Sequence, residues 1–217
     1  MTFLEITNFI LGATRRPTSF TSVVKLCINL AVQEATKLNN FNCLTDFENY
    51  TYPATTESID WTTVFADADS IKSIFIVGAS GRPVSRVRIF SYERLMDDEL
   101  PRYPDLIADP TPTTNVTLYK AYITGVKLGF FPEPQQSVTT RVVFTTKLPT
   151  LVDDADENIL LTNCPELIVN LTLQKFNNYL SEDERFPITK NQIDRSIAAA
   201  QLWDNNFANA NGIDWPL

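Results

Sequence analysis

The residue types that could do chemistry in this chain are carboxylates, lysines and three cysteines, because its 217 residues include no histidine. Without an imidazole there is no Ser-His-Asp or Cys-His arrangement, no His-ligated zinc and no acid/base group of ordinary pKa near neutrality. Cys27, Cys43 and Cys164 are odd in number and far apart, which is typical of thiols that pack as small apolar residues in a reducing compartment. We therefore predict no catalytic residue, no enzymatic activity and no cofactor.

The densest run of potential metal ligands is acidic and extends from Asp153 to Asn158. Ca²⁺ prefers several carboxylates from one tight loop, so this run is a candidate cation site. For an EF-hand loop counted from Asp154, the glycine needed for the turn is absent, and Pro165 stands where the glutamate at the twelfth position belongs. The pattern favours a solvated acidic loop before a helix, and we predict no metal site.

Aromatic residues near the C-terminal end are candidates for binding. Trp203 and Phe207 are spaced i, i+4 and would share one face of a helix, either as part of a core stripe or as a docking surface. Trp215 follows Gly212, where an aromatic ring has little of its own domain to pack against. Exposed apolar segments of this kind often dock on a neighbouring protein.

The charge balance bears on the choice of partner. With 18 basic and 26 acidic side chains, the net charge is −8 and the pI is about 4.6. A chain this acidic predicts no non-specific affinity for nucleic acid and none for an anionic membrane surface. The longest apolar stretches fall well short of the roughly 20 residues that span a bilayer, so we predict a soluble protein with no membrane contact.

The elements that must position these residues follow the order helices, strands, helices. Apolar residues at helical spacing predict a helix that ends near Leu38 and another over residues 189–209, where Ile193, Ile197, Ala198, Ala200, Leu202 and Phe207 would supply the apolar face. Thr189 and Gln192 have the spacing of a capping box. Strands are predicted over residues 42–52, 59–65, 71–77, 84–90, 116–124, 126–131 and 138–147.

Segregated runs of helices and strands indicate an α+β fold. The helices at the two ends of the chain can bury their apolar faces only against each other or against the sheet. We therefore predict a helical bundle built from both chain termini, residues 1–40 and 151–217, with an inserted antiparallel β domain, residues 41–150.

Short sequence patterns occur here in an order that resembles the head-to-tail adaptor (connector) proteins of tailed bacteriophages. The patterns, in chain order, are an apolar helix at residues 3–11, Ile28-Asn29-x-Ala31-x3-Ala35, Tyr50-x-Tyr52-Pro53, Ile71-x2-Ile74-x2-Val77, Phe90-x-Tyr92-Glu93-x-Leu95, Tyr122-x2-Gly125-x2-Leu128, Pro132-x-Pro134, Leu148-Pro149 and Pro165-Glu166. One departure is the segment from Asn39 to Phe41, where members of the family often carry a tryptophan.

This resemblance implies a virion structural protein. About twelve copies would form a ring beneath the portal protein, extend the DNA channel and provide the attachment site for the tail nozzle or tail tube protein. DNA would pass through without specific binding. The protein would be made in the host bacterial cytoplasm and lie in the neck between head and tail. The portal-docking residues would be Trp203, Phe207, Ile213, Trp215 and Leu217.

Two other functions remain open from the sequence alone. A β-rich virion module that decorates the capsid shell would have a similar composition and no active site. A carboxylate-dependent hydrolase would need two of the 26 acidic residues to converge, and no spacing in the sequence singles out a pair.

Overall fold

In a computed structural model of the 217-residue chain, the structure describes residues 1–38, 41–95, 120–131, 133–180 and 188–210. Contacts between Cα atoms divide the chain into two compact units. The helical unit comprises Met1–Leu44 with Leu148–Leu217, and the sheet unit comprises Thr45–Lys147. The sequence-based divisions were after residues 40 and 150, whereas the contacts divide the chain after Leu44 and Lys147.

The elements of the described residues are as follows. The helices are α1 (Phe3–Thr14), α2 (Thr21–Leu38), α3 (Trp61–Val64), α4 (Tyr92–Arg94), α5 (Ile159–Asn163), α6 (Pro165–Leu180) and α7 (Lys190–Ala210), with 3-10 turns at Thr18–Phe20 and Asn42–Leu44. The strands are β1 (Thr45–Tyr52), β2 (Ser58–Asp60), β3 (Ala68–Val77), β4 (Pro83–Ser91), β5 (Lys120–Thr124), β6 (Lys127–Phe131) and β7 (Val138–Thr146).

Local hydrogen bonds determine where the first and last helices begin. At α1, the Glu5 N–H donates to the Thr2 hydroxyl (3.2 Å) and the Thr2 N–H donates to the Glu5 carboxylate (2.8 Å). The Gln192 N–H likewise donates to the Thr189 hydroxyl (3.3 Å), and the Thr189 N–H donates to the Gln192 side-chain oxygen (2.8 Å). The capping box predicted at the start of α7 is therefore confirmed, because each reciprocal pair satisfies two N–H groups at its helix start.

The core of the helical unit forms where α1 and α2 pack against α6. Its buried side chains recur three or four positions apart on each helix, as on α2 at Val24, Cys27, Ile28, Ala31, Val32 and Ala35. Phe176 on α6 is fully buried and meets the edge of the Phe20 ring at 6.1 Å between centroids. Burial of each such large apolar side chain stabilises the fold by about 1.5–3 kcal/mol.

The sheet unit is one curled seven-stranded sheet with the strand order β1-β7-β3-β4-β5-β6-β2. One of its faces buries an aromatic cluster that includes Tyr52, Phe65, Phe130 and Phe144. Tyr52 and Phe130 pack edge to face with 4.8 Å between ring centroids. The alternation of residues along a strand assigns every second side chain to this core and leaves the others on the outer face of the sheet.

The predicted fold class, a helical bundle from both chain termini with an inserted antiparallel β domain, is wrong. The single sheet is mixed, because β4 and β5 run parallel with Arg88 beside Lys120. The largest share of the helix follows β7, in α5, α6 and α7. A parallel pair needs a crossover connection of about a dozen residues or more, and residues 92–119 are long enough to provide one. Strand spacing and composition do not reveal this direction.

The strand predicted over residues 59–65 is also wrong. The strand β2 ends at Asp60, and the short helix α3 begins at Trp61. The Asp60 carboxylate accepts hydrogen bonds from the N–H groups of Thr62 (3.1 Å) and Thr63 (3.3 Å), and from the Thr62 hydroxyl (2.7 Å). This N-cap outweighs the β propensity of the residues that follow.

Candidate docking surface

The helix α7 carries the two candidate docking residues that lie within the described part of the chain. Its buried positions are Ile193, Ser196, Ala200 and Asp204, which form one stripe at helical spacing. Trp203 and Phe207 flank that stripe and are half-buried. The other three predicted docking residues, Ile213, Trp215 and Leu217, lie outside the described residues.

Asp204 anchors this part of α7. The carboxylate is only 4% exposed, and its two oxygens accept hydrogen bonds from the N–H groups of Asn42 (2.7 Å) and Cys43 (2.9 Å). Those N–H groups begin the 3-10 turn after α2, so Asp204 acts as a cap supplied by a distant helix. Sequence reasoning did not single out Asp204. The available signal was an acidic residue on the apolar stripe of α7.

Trp203 and Phe207 form an aromatic pair beside this anchor. Their ring centroids lie 5.5 Å apart and their planes are inclined by 33°. Trp203 also packs against the core of the helical unit. This packing supports the core-stripe interpretation for Trp203, while both rings are only partly buried and the docking interpretation stays a prediction.

Leu202 is the residue of this surface that sequence reasoning assigned incorrectly. The sequence placed it on the apolar face of the last helix, but its side chain is 64% exposed. Adjacent helical residues point about 100° apart, so Leu202 leaves the core while Trp203 touches it. We define the apolar surface of α7 as the three apolar residues of this segment that keep exposed area, Leu202, Trp203 and Phe207, with the two rings in contact and Leu202 at the edge.

The cysteines of the helical unit have no features of reactive thiols. Burial, followed by the negative charge of Asp204, raises the pKa of Cys43 to about 12. The same two causes raise the pKa of Cys164 to about 11, and burial also raises the pKa of Cys27. At neutral pH these groups are therefore neutral thiols, which are poor nucleophiles and poor metal ligands.

The acidic run from Asp153 to Asn158 bonds to the helices α1 and α2 of the helical unit. Its backbone carbonyls at Asp156 and Asp154 accept hydrogen bonds from the N–H groups of Phe3 (2.9 Å) and Leu4 (3.1 Å), which begin α1. The Lys25 ammonium pairs with the Asp154 carboxylate. These contacts satisfy two N–H groups that the helix itself leaves without partners.

The side chains of this loop are likewise engaged in local structure. The Asp156 carboxylate accepts hydrogen bonds from the N–H groups of Val152 (2.7 Å) and Asp153 (2.9 Å), which lower its pKa below the usual value. Asn158 caps α5 through the N–H groups of Leu160 and Leu161. Among the described residues, no three His, Cys, Asp or Glu side chains form a group that could hold a metal ion.

Comparisons with protein-family models and with curated proteins found no match to this chain. Within the described ranges, each helix is too short or too polar to cross a membrane.

Proposed function

We propose that this protein is a virion structural protein, the head-to-tail adaptor of a tailed bacteriophage. About twelve copies form a ring beneath the portal protein, and the ring extends the DNA channel and receives the tail nozzle or tail tube protein. The protein acts by binding and not by catalysis. It is made in the bacterial cytoplasm and lies in the neck of the virion.

The observation that carries this proposal is the apolar surface of α7. Leu202, Trp203 and Phe207 belong to one segment of a helix whose position is held by the buried Asp204. Rigidly held aromatic and aliphatic side chains lose little conformational entropy on binding, and such residues dominate protein interfaces. Residues 211–217 continue the chain with the additional docking candidates Ile213, Trp215 and Leu217.

The chemistry of the described residues also supports a binding function. The thiols are held neutral, and the acidic loop uses its oxygens for hydrogen bonds within the helical unit. Two carboxylates arranged as general acid and base would favour the hydrolase. The carboxylates of the acidic loop instead act as hydrogen-bond acceptors for backbone N–H groups and as an ion-pair partner.

The test is binding of the purified chain to its cognate portal ring, measured by co-sedimentation. We expect Leu202→Glu to weaken portal binding at least tenfold, because it places a charge on the most exposed residue of the apolar surface. Leu26→Glu is the matched control, since Leu26 on α2 is a leucine of similar exposure, 57% against 64% for Leu202. This control should bind as the wild type does. Removal of residues 211–217 should also weaken binding.

Other outcomes would favour the alternatives. Equal binding by Leu202→Glu and the wild type would contradict the docking role of α7. If the chain does not bind the portal and instead co-purifies with capsid hexamers, this would support the capsid-decoration module. Metal-dependent turnover that Asp154→Ala or Asp156→Ala abolishes would support the hydrolase and exclude both structural functions.

A further inference from the structure

The outer face of the sheet is positively charged, although the protein as a whole is acidic. On the adjacent strands β7, β3, β4 and β5, residues such as Val142, Ile74, Val87 and Ala121 belong to the buried core. The alternate residues therefore belong to the outer face. They are Thr139, Arg141, Val143 and Thr145 on β7, Ser73 and Phe75 on β3, Val84, Arg86, Arg88 and Phe90 on β4, and Lys120, Tyr122 and Thr124 on β5. Four of these residues, Val143, Thr145, Phe75 and Tyr122, are buried, so the accessible part of the face is carried by the others.

This face carries four cations and no carboxylate among the residues just named, although the whole chain has a net charge of −8. We define the cationic face as Arg86, Arg88, Lys120 and Arg141. The strand registers bring these residues together, since Arg88 lies directly beside Lys120, and Phe75 lies between Arg86 and Arg141. Neighbouring strands are only about 4.8 Å apart, so the positive charge is dense.

The arrangement places like charges side by side, since Arg88 and Lys120 are neighbours in the register of the parallel strands β4 and β5. Arg86 and Arg88 are both exposed, and in the described part of the chain no carboxylate pairs with either guanidinium. A polyanion that approaches this face would meet positive charge.

Aromatic rings hold several of the cations in place. The Lys120 ammonium lies 5.6 Å from the centroid of the Phe90 ring, and the Arg94 guanidinium lies 5.8 Å from the same ring. The Arg141 guanidinium lies 4.5 Å from the centroid of the Phe47 ring. Each of these rings therefore has a cation beside it, and a phosphate that approaches the face meets charge.

We propose that the cationic face binds the phosphate backbone of duplex DNA without reading its sequence. Duplex DNA carries one negative charge about every 1.7 Å along its axis, a density that matches clustered cations. Three of the four cations are arginines, whose planar guanidinium groups pair well with phosphate. The proposal depends on the charges of the sheet and not on the adaptor function, and it differs from the expectation that so acidic a chain has no electrostatic contact with DNA.

The test is fluorescence anisotropy of a labelled duplex of about 30 base pairs, titrated with the full chain at several salt concentrations. Four phosphate contacts predict a slope of about −3.6 for log K against log [salt], so affinity should fall about 150-fold between 50 and 200 mM salt. In Arg86→Gln/Arg88→Gln the slope should be about −1.8, and the fall should be about 12-fold.

The matched control is Lys190→Gln/Arg195→Gln, which removes the same two positive charges from exposed positions of α7. This control should retain the wild-type slope. A second variant, Lys120→Gln, should reduce the slope by about 0.9. Thermal melting checks the fold of each variant, and Tm should stay near that of the wild type.

Several results would overturn the proposal. These are an absence of salt-dependent binding, an equal loss of binding in the sheet variant and the α7 control, and tighter binding of labelled polyglutamate than of DNA. The last result would identify an acidic polypeptide as the partner. Portal co-sedimentation of Arg86→Gln/Arg88→Gln keeps the two proposals separate. If Arg86→Gln/Arg88→Gln binds the portal but not DNA, both proposals are supported. If Leu202→Glu binds DNA but not the portal, the two binding surfaces are independent.

Discussion

Replacement of the buried Asp204 should destabilise the helical unit more than any exposed change on α7. In Asp204→Ala, the N–H groups of Asn42 and Cys43 lose the carboxylate oxygens that lie 2.7 and 2.9 Å away. A buried donor left without a partner costs about 1–3 kcal/mol, and loss of a cap costs about 1 kcal/mol. We expect a loss of about 3 kcal/mol in the free energy of unfolding, which corresponds to a decrease in Tm of about 6–12 °C.

The assay is thermal and urea unfolding followed by circular dichroism, with hydrogen exchange at Asn42 and Cys43 as a local probe. Asp204→Asn separates the hydrogen bonds from the volume of the side chain. An amide has one oxygen and one NH₂ group. In this variant the NH₂ group would face one of the two backbone N–H groups, and two donors cannot form a hydrogen bond. The expected loss is about 2 kcal/mol. Asp194→Ala, at an exposed position of the same helix, is the control and should change stability by no more than about 0.5 kcal/mol.

Cys43 supplies an independent measurement. Burial is the main cause that raises its pKa to about 12, and the charge of Asp204 is the second. Asp204→Ala should therefore lower the pKa of Cys43 and speed its alkylation by iodoacetamide at pH 9. A Tm within about 2 °C of the wild type together with unchanged alkylation of Cys43 would refute this account of Asp204.

Other substitutions test the packing and the acidic loop. Gly129→Ala should destabilise the sheet unit by about 3 kcal/mol, because a Cβ atom there would lie 2.6 Å from the Glu57 carbonyl oxygen. Gly12→Ala, where the Cβ atom meets nothing within 4 Å, should raise stability by about 0.5–1 kcal/mol, and both are measured by urea unfolding. Phe176→Ala should cost about 3–5 kcal/mol in the same assay. The pKa of Asp156 is lowered in the folded state. The ionised carboxylate therefore stabilises the fold at pH values above its unfolded-state pKa, and this stabilisation is lost as the pH falls through its folded-state pKa. The difference in urea midpoint between the wild type and Asp156→Ala should thus be smaller at pH 3 than at pH 7, and an equal difference would contradict this assignment.

Features that depend on neighbours in sequence could be predicted from the residues. The capping box of Thr189 and Gln192 spans three positions, so its hydrogen bonds form wherever the helix begins. The buried stripe of α2 follows from apolar residues at helical spacing, and Cys27 lies within it as a small apolar residue. Local spacing is sufficient for such elements because the geometry of one helix determines which side chains share a face.

Features that depend on distant partners could not be predicted in this way. Leu202 and Ala200 are both apolar residues of α7, yet Leu202 is exposed and Ala200 is buried. The choice depends on which side of the helix meets the rest of the helical unit. The direction of β5 beside β4 likewise depends on the path of the long connection and not on either strand.

The sequence by itself determined that the protein has no imidazole chemistry, where its capped helices begin and which short segments favour strands. These properties depend on residue types and on spacings of a few positions. The tertiary structure decided that Asp204 caps a turn some 160 residues earlier in the chain and that four cations of an acidic protein meet on one sheet face. Both arrangements depend on how separate elements pack and pair, and no local pattern specifies which residues become neighbours across such distances.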